Sequence, residues 1–481
     1  MDVDGGSGRS RITVLRGGTI WTGGTTPRVL PRTDLVIEDG VVAAHEPDYR
    51  GRFDEELDAT DCIVAPGFIN AHVHPGATPR ARSMAEDFAL APGAAFYHAV
   101  APTLRLGLEE MTRAEFMAVM EWDLLAMLRG GATTVVAEMI VSPESGFQDD
   151  WVELIGRYGF RGQLGLTYPN RLGAIGFMQD GKITSLGAGD VGAALAAGVA
   201  LHDRYDGSFD GRLRTHLSPH GPDTVPDDVL RETRRLCDER GLRAHLHLCQ
   251  HKAELAVIEA RSGKTPVQYL HDIGFLGPDV MATHVTYVED ADIAFLAETG
   301  THVVHASYRK AKEGITSPFW EFIERGVNVA IATDSFSHDM VLDLKLACLL
   351  GKVRQHRVDA PDAERALICA THGAARALGR PDLGHLMPGA RGDVTVVALD
   401  SVFSAPVFDP VRALVYYAGA ADIRHTLVDG RPILRDGTLP GVDAKAIRLA
   451  ATAACERIWG MAEGSGMVPD ALRRHRPGCG C

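Results

Sequence analysis

Between Pro66 and Ser335 the chain repeats one unit eight times: a short apolar run that reads as a buried strand, then a loop, and in several places an amphipathic helix. The first run carries His72, and the others are Thr133 to Met139, Arg161 to Thr167, Arg212 to Leu217, Leu242 to Leu248, Val280 to Val285, Thr301 to Ala306 and Val327 to Thr333. Helical patterns lie between several of them, as at Thr112 to Arg129, closed by Gly130-Gly131, and Asp227 to Arg240, closed by Gly241. Strands that alternate with helices form a parallel sheet, and eight of them in about 270 residues suit an α/β fold of the (β/α)8 TIM-like barrel type. An open doubly wound sheet is the competing arrangement, but no Gly-x-Gly-x-x-Gly directly follows any of these runs, as a nucleotide site there would require.

The flanks have another texture. Ile12-Thr13-Val14-Leu15, Leu35-Val36-Ile37 and Val41-Val42 are short segments separated by Gly, Pro and Asp, and similar segments return at Asp393 to Val397, Ala413 to Tyr417 and His425 to Gly430. Neither flank alone has enough strands to bury a face, so the two ends are expected to pair into one small β-sandwich domain. The division expected is 1–65 and 386–442 for the two parts of that sandwich, 66–385 for the barrel, and 443–481 for a helical extension (Ala444 to Ala462) and tail.

Hydrophobic residues at 45% and charged residues at 23% are ordinary for a globular chain, and a net charge of −14 without basic-aromatic clusters disfavours nucleic acid and favours a small-molecule substrate. Met1 to Arg16 lacks the apolar core of a signal peptide and no run is long enough to span a bilayer, so no membrane association and a cytoplasmic location are expected. The cysteines include no Cys-x-x-Cys pair and read as reduced core thiols, with Cys479-Gly480-Cys481 as a mobile end or, less simply, a metal-binding one.

In a barrel the chemistry sits at the C-terminal ends of the strands. There the chain places His72 and His74, then His216 and Ser218-Pro219-His220, then His245-Leu246-His247, then His284, then Thr333-Asp334-Ser335. Residues i and i+2 of a strand share a face, so His72 and His74 can reach one ion. His245 and His247 also share a face, and the one nearer the mouth, His247, is assigned to the metal, with His245 in a packing or supporting role. Three imidazoles and a carboxylate suit Zn2+, with Fe2+, Co2+ or Mn2+ as alternatives, and a position open for water. The fourth run has no lysine that could be carboxylated to bridge two ions, so one divalent ion is expected.

With Pro66-Gly67-Phe68-Ile69-Asn70-Ala71-His72-Val73-His74, Ser218-Pro219-His220-Gly221-Pro222, His245 to Gln250, Ala282-Thr283-His284-Val285, Ala332-Thr333-Asp334-Ser335 and Pro388 to Asp393 in this order, the chain resembles the amidohydrolase superfamily. The resemblance covers nearly the whole length and is to the branch of heterocycle deaminases and triazine chlorohydrolases. It implies one metal held by His72, His74, His247 and Asp334, with His284 hydrogen-bonded to the metal's water and His220 facing the substrate. It also implies a homodimer or larger homo-oligomer. Deaminases of this branch usually read His-x-x-Glu at the fifth strand, whereas this chain has Gln250, whose amide can orient a substrate but cannot carry a proton.

The chemistry expected is attack by a hydroxide that the metal generates from water, with Asp334 as base and proton carrier to the departing nitrogen and His284 stabilising the developing charge. Without the glutamate, a non-peptide C–N bond of an amide, urea, carbamate or related carbon is favoured; a heteroaromatic deaminase or chlorohydrolase is the alternative, and a non-catalytic barrel scaffold is a third reading. Glu138 is a candidate for binding a cationic substrate group, against a supporting or solvated role. The segment Glu86 to Leu106, with Phe96, Tyr97 and His98, falls where relatives line the pocket.

Overall fold

The computed structural model describes residues 9–82, 106–107, 109–168, 178–179, 182–183 and 191–464. Phe96, Tyr97, His98 and the Cys479-Cys481 tail lie outside them.

Both ends of the chain enter one eight-stranded sheet. Its strands are β1 (Ile12–Trp21), β2 (Val29–Glu38), β3 (Val41–Glu46), β4 (Glu55–Asp58) and β5 (Cys62–Pro66) from the N-terminal flank, and β17 (Val394–Ala398), β18 (Ile423–Val428) and β19 (Arg431–Leu434) from the C-terminal one. The expected pairing of the ends runs through β5 and β17, antiparallel with Val64 opposite Val396, so the flanks connect as a single sheet. Two hairpins are set by Asp39-Gly40 and Asp429-Gly430, whose φ values of 48°, 80°, 49° and 68° match the tight turn that Asp-Gly favours.

One expected strand is corrected: Ala413 to Tyr417 lies in the helix Pro410–Tyr417. Asp409 caps it by accepting the Arg412 N–H at 3.0 Å, Pro410 occupies the first turn, and Val411, Leu414 and Val415 form a buried helical face. The Asp-Pro start outweighs the strand propensity of the valine and tyrosines.

The middle of the chain is a TIM-barrel-type α/β fold. One parallel sheet contains β6 (Phe68–Val73), β7 (Ala132–Met139), β8 (Arg161–Tyr168), β11 (Leu213–Thr215) and β12 (Ser218–Pro219). A second contains β13 (Ala244–Leu248), β14 (Val280–His284), β15 (His302–His305) and β16 (Val329–Ile331). Two-residue strands β9 (Met178–Gln179) and β10 (Lys182–Ile183) pair apart from both. A parallel bridge from Leu217 to Ala244 links the two sheets on one side. On the other, the Asn70 side chain donates to Thr333 Oγ1 at 2.8 Å and accepts the Thr333 N–H at 3.0 Å, and the Asp334 N–H donates to the His72 carbonyl at 3.1 Å. The first and eighth strand ends are thereby held side by side.

Every residue of β6, β7, β8, β13 and β14 is buried, as parallel strands covered on both faces require. The expected helices are present as Arg113–Arg129, with a Thr112/Glu115 capping box, and Asp227–Arg240, stopped by Gly241 at φ 67°. Arg161, at the buried start of β8, ties this region to the flanking sheet: its guanidinium donates to both Asp393 oxygens at 2.9 Å and to Asp429 at 2.8 Å. Among the described residues no helix is long and apolar enough to cross a membrane.

Candidate active site

Four strand ends send five polar side chains to one buried point. His72 lies in β6 and His74 one residue beyond it, His247 in β13, His284 at the end of β14 and Asp334 just after β16. The His74 and His247 Nε2 atoms are 3.3 Å apart, and Asp334 Oδ1 stands 3.5 Å from His74 Nε2 and 3.7 Å from His72 Nε2. The same carboxylate turns Oδ2 toward His284 Nε2, 3.8 Å away.

The outer nitrogens explain how these rings are held. His74 Nδ1–H donates to the Glu138 carbonyl at 2.8 Å and His247 Nδ1–H to the His220 carbonyl at 3.1 Å, which leaves both Nε2 atoms as lone-pair donors facing inward. Two lone pairs 3.3 Å apart repel unless a cation lies between them. Ligands 2.0–2.1 Å from a tetrahedral Zn2+ stand about 3.3 Å from each other, so the spacing and donor set fit a divalent ion. Burial, reinforced by the neighbouring imidazoles, holds His72 and His247 well below the usual histidine range and keeps them neutral.

The backbone bends sharply where these side chains emerge. His284 and Val285 (φ 79° and 44°), Asp334 and Ser335 (φ 46° and 57°) and Cys249 (φ 50°) all adopt the left-handed region without being glycine. Ser335 secures one such bend: its Oγ accepts the His74 N–H at 2.6 Å and donates to the His74 carbonyl at 2.9 Å.

The remaining expected residues fall around this point in different places. Glu138 is fully buried on the Nδ1 side of the rings, 3.2 Å from His245 Nδ1, 3.7 Å from His247 Nδ1 and 3.9 Å from His72 Nδ1, so a solvated carboxylate is ruled out. Burial and the Asp334 charge push its carboxyl well above the usual range. His245 donates or accepts at Thr283 Oγ1, 2.7 Å away, and faces Glu138 rather than His74. His216 packs against His245 over Gly165, where a Cβ would come within 2.5 Å of its ring. Partly buried His220 stacks on His247 with ring centroids 4.7 Å apart. Gln250 is buried at the β13 end, its N–H donating to Glu254 at 2.8 Å and its carbonyl accepting from Lys310 Nζ at 3.1 Å. Three overlapping sets of candidate ligand atoms, His72/His74/His247, His72/His284/Asp334 and His72/Glu138/His245, share His72.

The amidohydrolase family model matches residues 63–433. The chain belongs to the amidohydrolase family. It is 32% identical over 430 residues to a 5'-deoxyadenosine deaminase of Methanosarcina mazei, covering 88% of this chain and 93% of that one. An adenosine deaminase from Xanthomonas campestris, solved with bound zinc, superposes with a TM-score of 0.80 at 26% identity, covering 93% of this chain and 98% of that one. A zinc complex of an atrazine chlorohydrolase from Arthrobacter aurescens shares the fold, with a TM-score of 0.80 at 23% identity over 92% of this chain and 100% of that one. The branch expected from the strand-end motifs is thus the one found, and this amidohydrolase is a hydrolase of C–N bonds other than peptide bonds.

Sequence reasoning missed the charged group that the amidohydrolase places beside Asp334. The helix Ser307–Ala311, following β15, buries Arg309 and Lys310 completely. Arg309 Nε lies 3.4 Å from Asp334 Oδ2, and Arg309 and Lys310 both pair with buried Glu313. Burial pushes the Glu313 carboxyl up, but the two cations outweigh it and hold it at about 2. The sequence signal is a basic pair shortly after a strand end with Glu313 three and four residues on, a pattern that is normally a solvated surface.

Proposed function

We propose that this amidohydrolase is a deaminase that releases ammonia from an exocyclic amine on a heteroaromatic ring, with adenosine-type purines as the first substrates to test. The observation that carries the reading is the convergence of His72, His74, His247 and Asp334 beside His284, in a chain whose likeness to a 5'-deoxyadenosine deaminase spans most of its length. Those four side chains would hold one divalent ion, Zn2+ before Fe2+, Co2+ or Mn2+, which when bound supplies Lewis acidity and draws the pKa of water toward neutrality.

The chain's own residues supply the rest. Asp334 accepts a proton from the attacking water and returns it to the departing amine. His284, kept neutral by burial, faces Asp334 Oδ2 and stabilises the charge on the oxygen of the attacking water. Glu138 orients His72, His245 and His247 from behind, in place of the substrate contact considered from sequence. His220 and Gln250 line the substrate side.

Gln250 favours a second reading, hydrolysis of an amide, urea or carbamate carbon, because a carbonyl needs no proton on a ring nitrogen. Incubating metal-loaded enzyme with aminopurine nucleosides, aminopyrimidines, aminotriazines, amides and ureas separates the two. Ammonia from ring amines supports deamination, whereas turnover confined to the carbonyl compounds overturns it in favour of the second reading.

A further inference from the structure

Attack on an aromatic ring carbon places negative charge on the adjacent ring nitrogen, and that atom must gain a proton as the carbon becomes tetrahedral. Asp334 is occupied with the water, the converging imidazoles are neutral, and the Gln250 amide has no acidic proton. Glu138 faces the Nδ1 side of the rings, and both Glu254 oxygens accept backbone N–H groups, of Cys249 at 2.7 Å and Gln250 at 2.8 Å. Lys310 is differently placed. Its helix is fixed to the helix Met340–Gln355 by the Tyr308 N–H, which donates to Asp343 Oδ1 at 2.9 Å, and its Nζ reaches the β13 end to donate to the Gln250 backbone carbonyl.

We propose that Lys310 is the proton donor to the substrate's ring nitrogen, the acid that Gln250 cannot be. The inference rests on the deaminase reading. Nζ spends one N–H on Gln250 and one on Glu313, 3.3 Å away, which leaves a third for substrate. The charged and titratable groups facing it include Glu313 and Arg309 from its own segment, His251 and Glu254 beyond β13, His284 of β14, His305 of β15 and Asp334 beyond β16. Burial, opposed by Glu313, draws the ammonium down to about 8, protonated at neutral pH yet acidic enough to release its proton.

The protons balance. One water proton passes to Asp334 and leaves with the amine as ammonia. Lys310 gives a proton to the ring nitrogen, where the lactam product keeps it, and regains one from the new hydroxyl as the carbonyl forms.

The test compares wild type, Lys310→Met, Lys310→Arg, Gln250→Glu and the double variant Lys310→Met/Gln250→Glu, each checked for metal content and melting temperature. Lys310→Arg keeps the charge and the Glu313 pair but cannot yield a proton, so it decides the matter if Lys310→Met misfolds. Both single Lys310 variants are expected to lose about 10²- to 10⁴-fold in kcat for ammonia release with KM little changed, and the glutamate of the double variant is expected to restore at least about tenfold. Wild-type kcat is expected to fall above about pH 8, and Gln250→Glu to move that limb. Lys310→Arg at wild-type kcat, or a double variant no faster than Lys310→Met, overturns the inference alone. A wild type that releases no ammonia from any ring amine overturns the deaminase reading and the inference with it.

Discussion

The Nε2 atoms of His74 and His247 face each other across 3.3 Å while their Nδ1–H groups are committed to the carbonyls of Glu138 and His220. Neither ring can turn to donate to the other without breaking a buried hydrogen bond, so the folded protein holds a pair of opposed lone pairs that a cation relieves. Chelation is therefore expected to lower the melting temperature and re-addition of Zn2+ to restore it. An ion at 100 times its Kd adds about 2.7 kcal/mol. Differential scanning calorimetry with and without chelator checks this.

Ser335 fastens the eighth strand end to the first through two hydrogen bonds to the His74 backbone. Removing its hydroxyl leaves the buried His74 N–H without this partner, and the His74 carbonyl with the Ala77 N–H alone, at the place where Asp334 bends toward the site. Ser335→Ala is expected to cost about 1–3 kcal/mol, read from the denaturant midpoint, and to weaken metal affinity.

Arg161, Asp393 and Asp429 join β8 to the flanking sheet by a buried ion pair network. Arg161→Met strands Asp393 without its counter-charge and is expected to cost about 3–5 kcal/mol, whereas Arg161→Met/Asp393→Leu removes both charges and should recover most of that loss. Urea unfolding of the two variants decides it.

Acid should unfold the protein through its buried histidines. Burial holds His216 and His305 at about 3 against an ordinary 6.5, so between those values only the unfolded chain takes up their protons. Their contribution is complete above about pH 6.5 and declines as pH falls, by about 1.4 kcal/mol per pH unit for each histidine. Melting temperature measured from pH 7 to 4 at fixed ionic strength should show the fall, and His216→Asn should flatten it.

Much of the site was legible because its chemistry is local. His72 and His74 are fixed by strand alternation, and His247, His284 and Asp334 each fall at the end of a short apolar run, so knowing the strands was enough to know where the side chains emerge. Ala413 to Tyr417 reads as a strand because its apolar spacing fits either period, and the Asp409-Pro410 helix start decides for the helix. Arg309 and Lys310 escape notice for another reason: adjacent cations with a carboxylate three or four residues on, here Glu313, are ordinarily a solvated surface, and only the fold brings Asp334 beside Arg309. The Arg161 network joins residues more than 200 positions apart and leaves no local trace.

Metal analysis of the purified chain beside His74→Ala and His247→Ala tests the central claim most directly. The account predicts close to one tightly held divalent ion per wild-type chain, lost in both variants while their circular dichroism stays native. A wild-type chain free of metal after supplementation with Zn2+, or variants that retain the full complement, would contradict it.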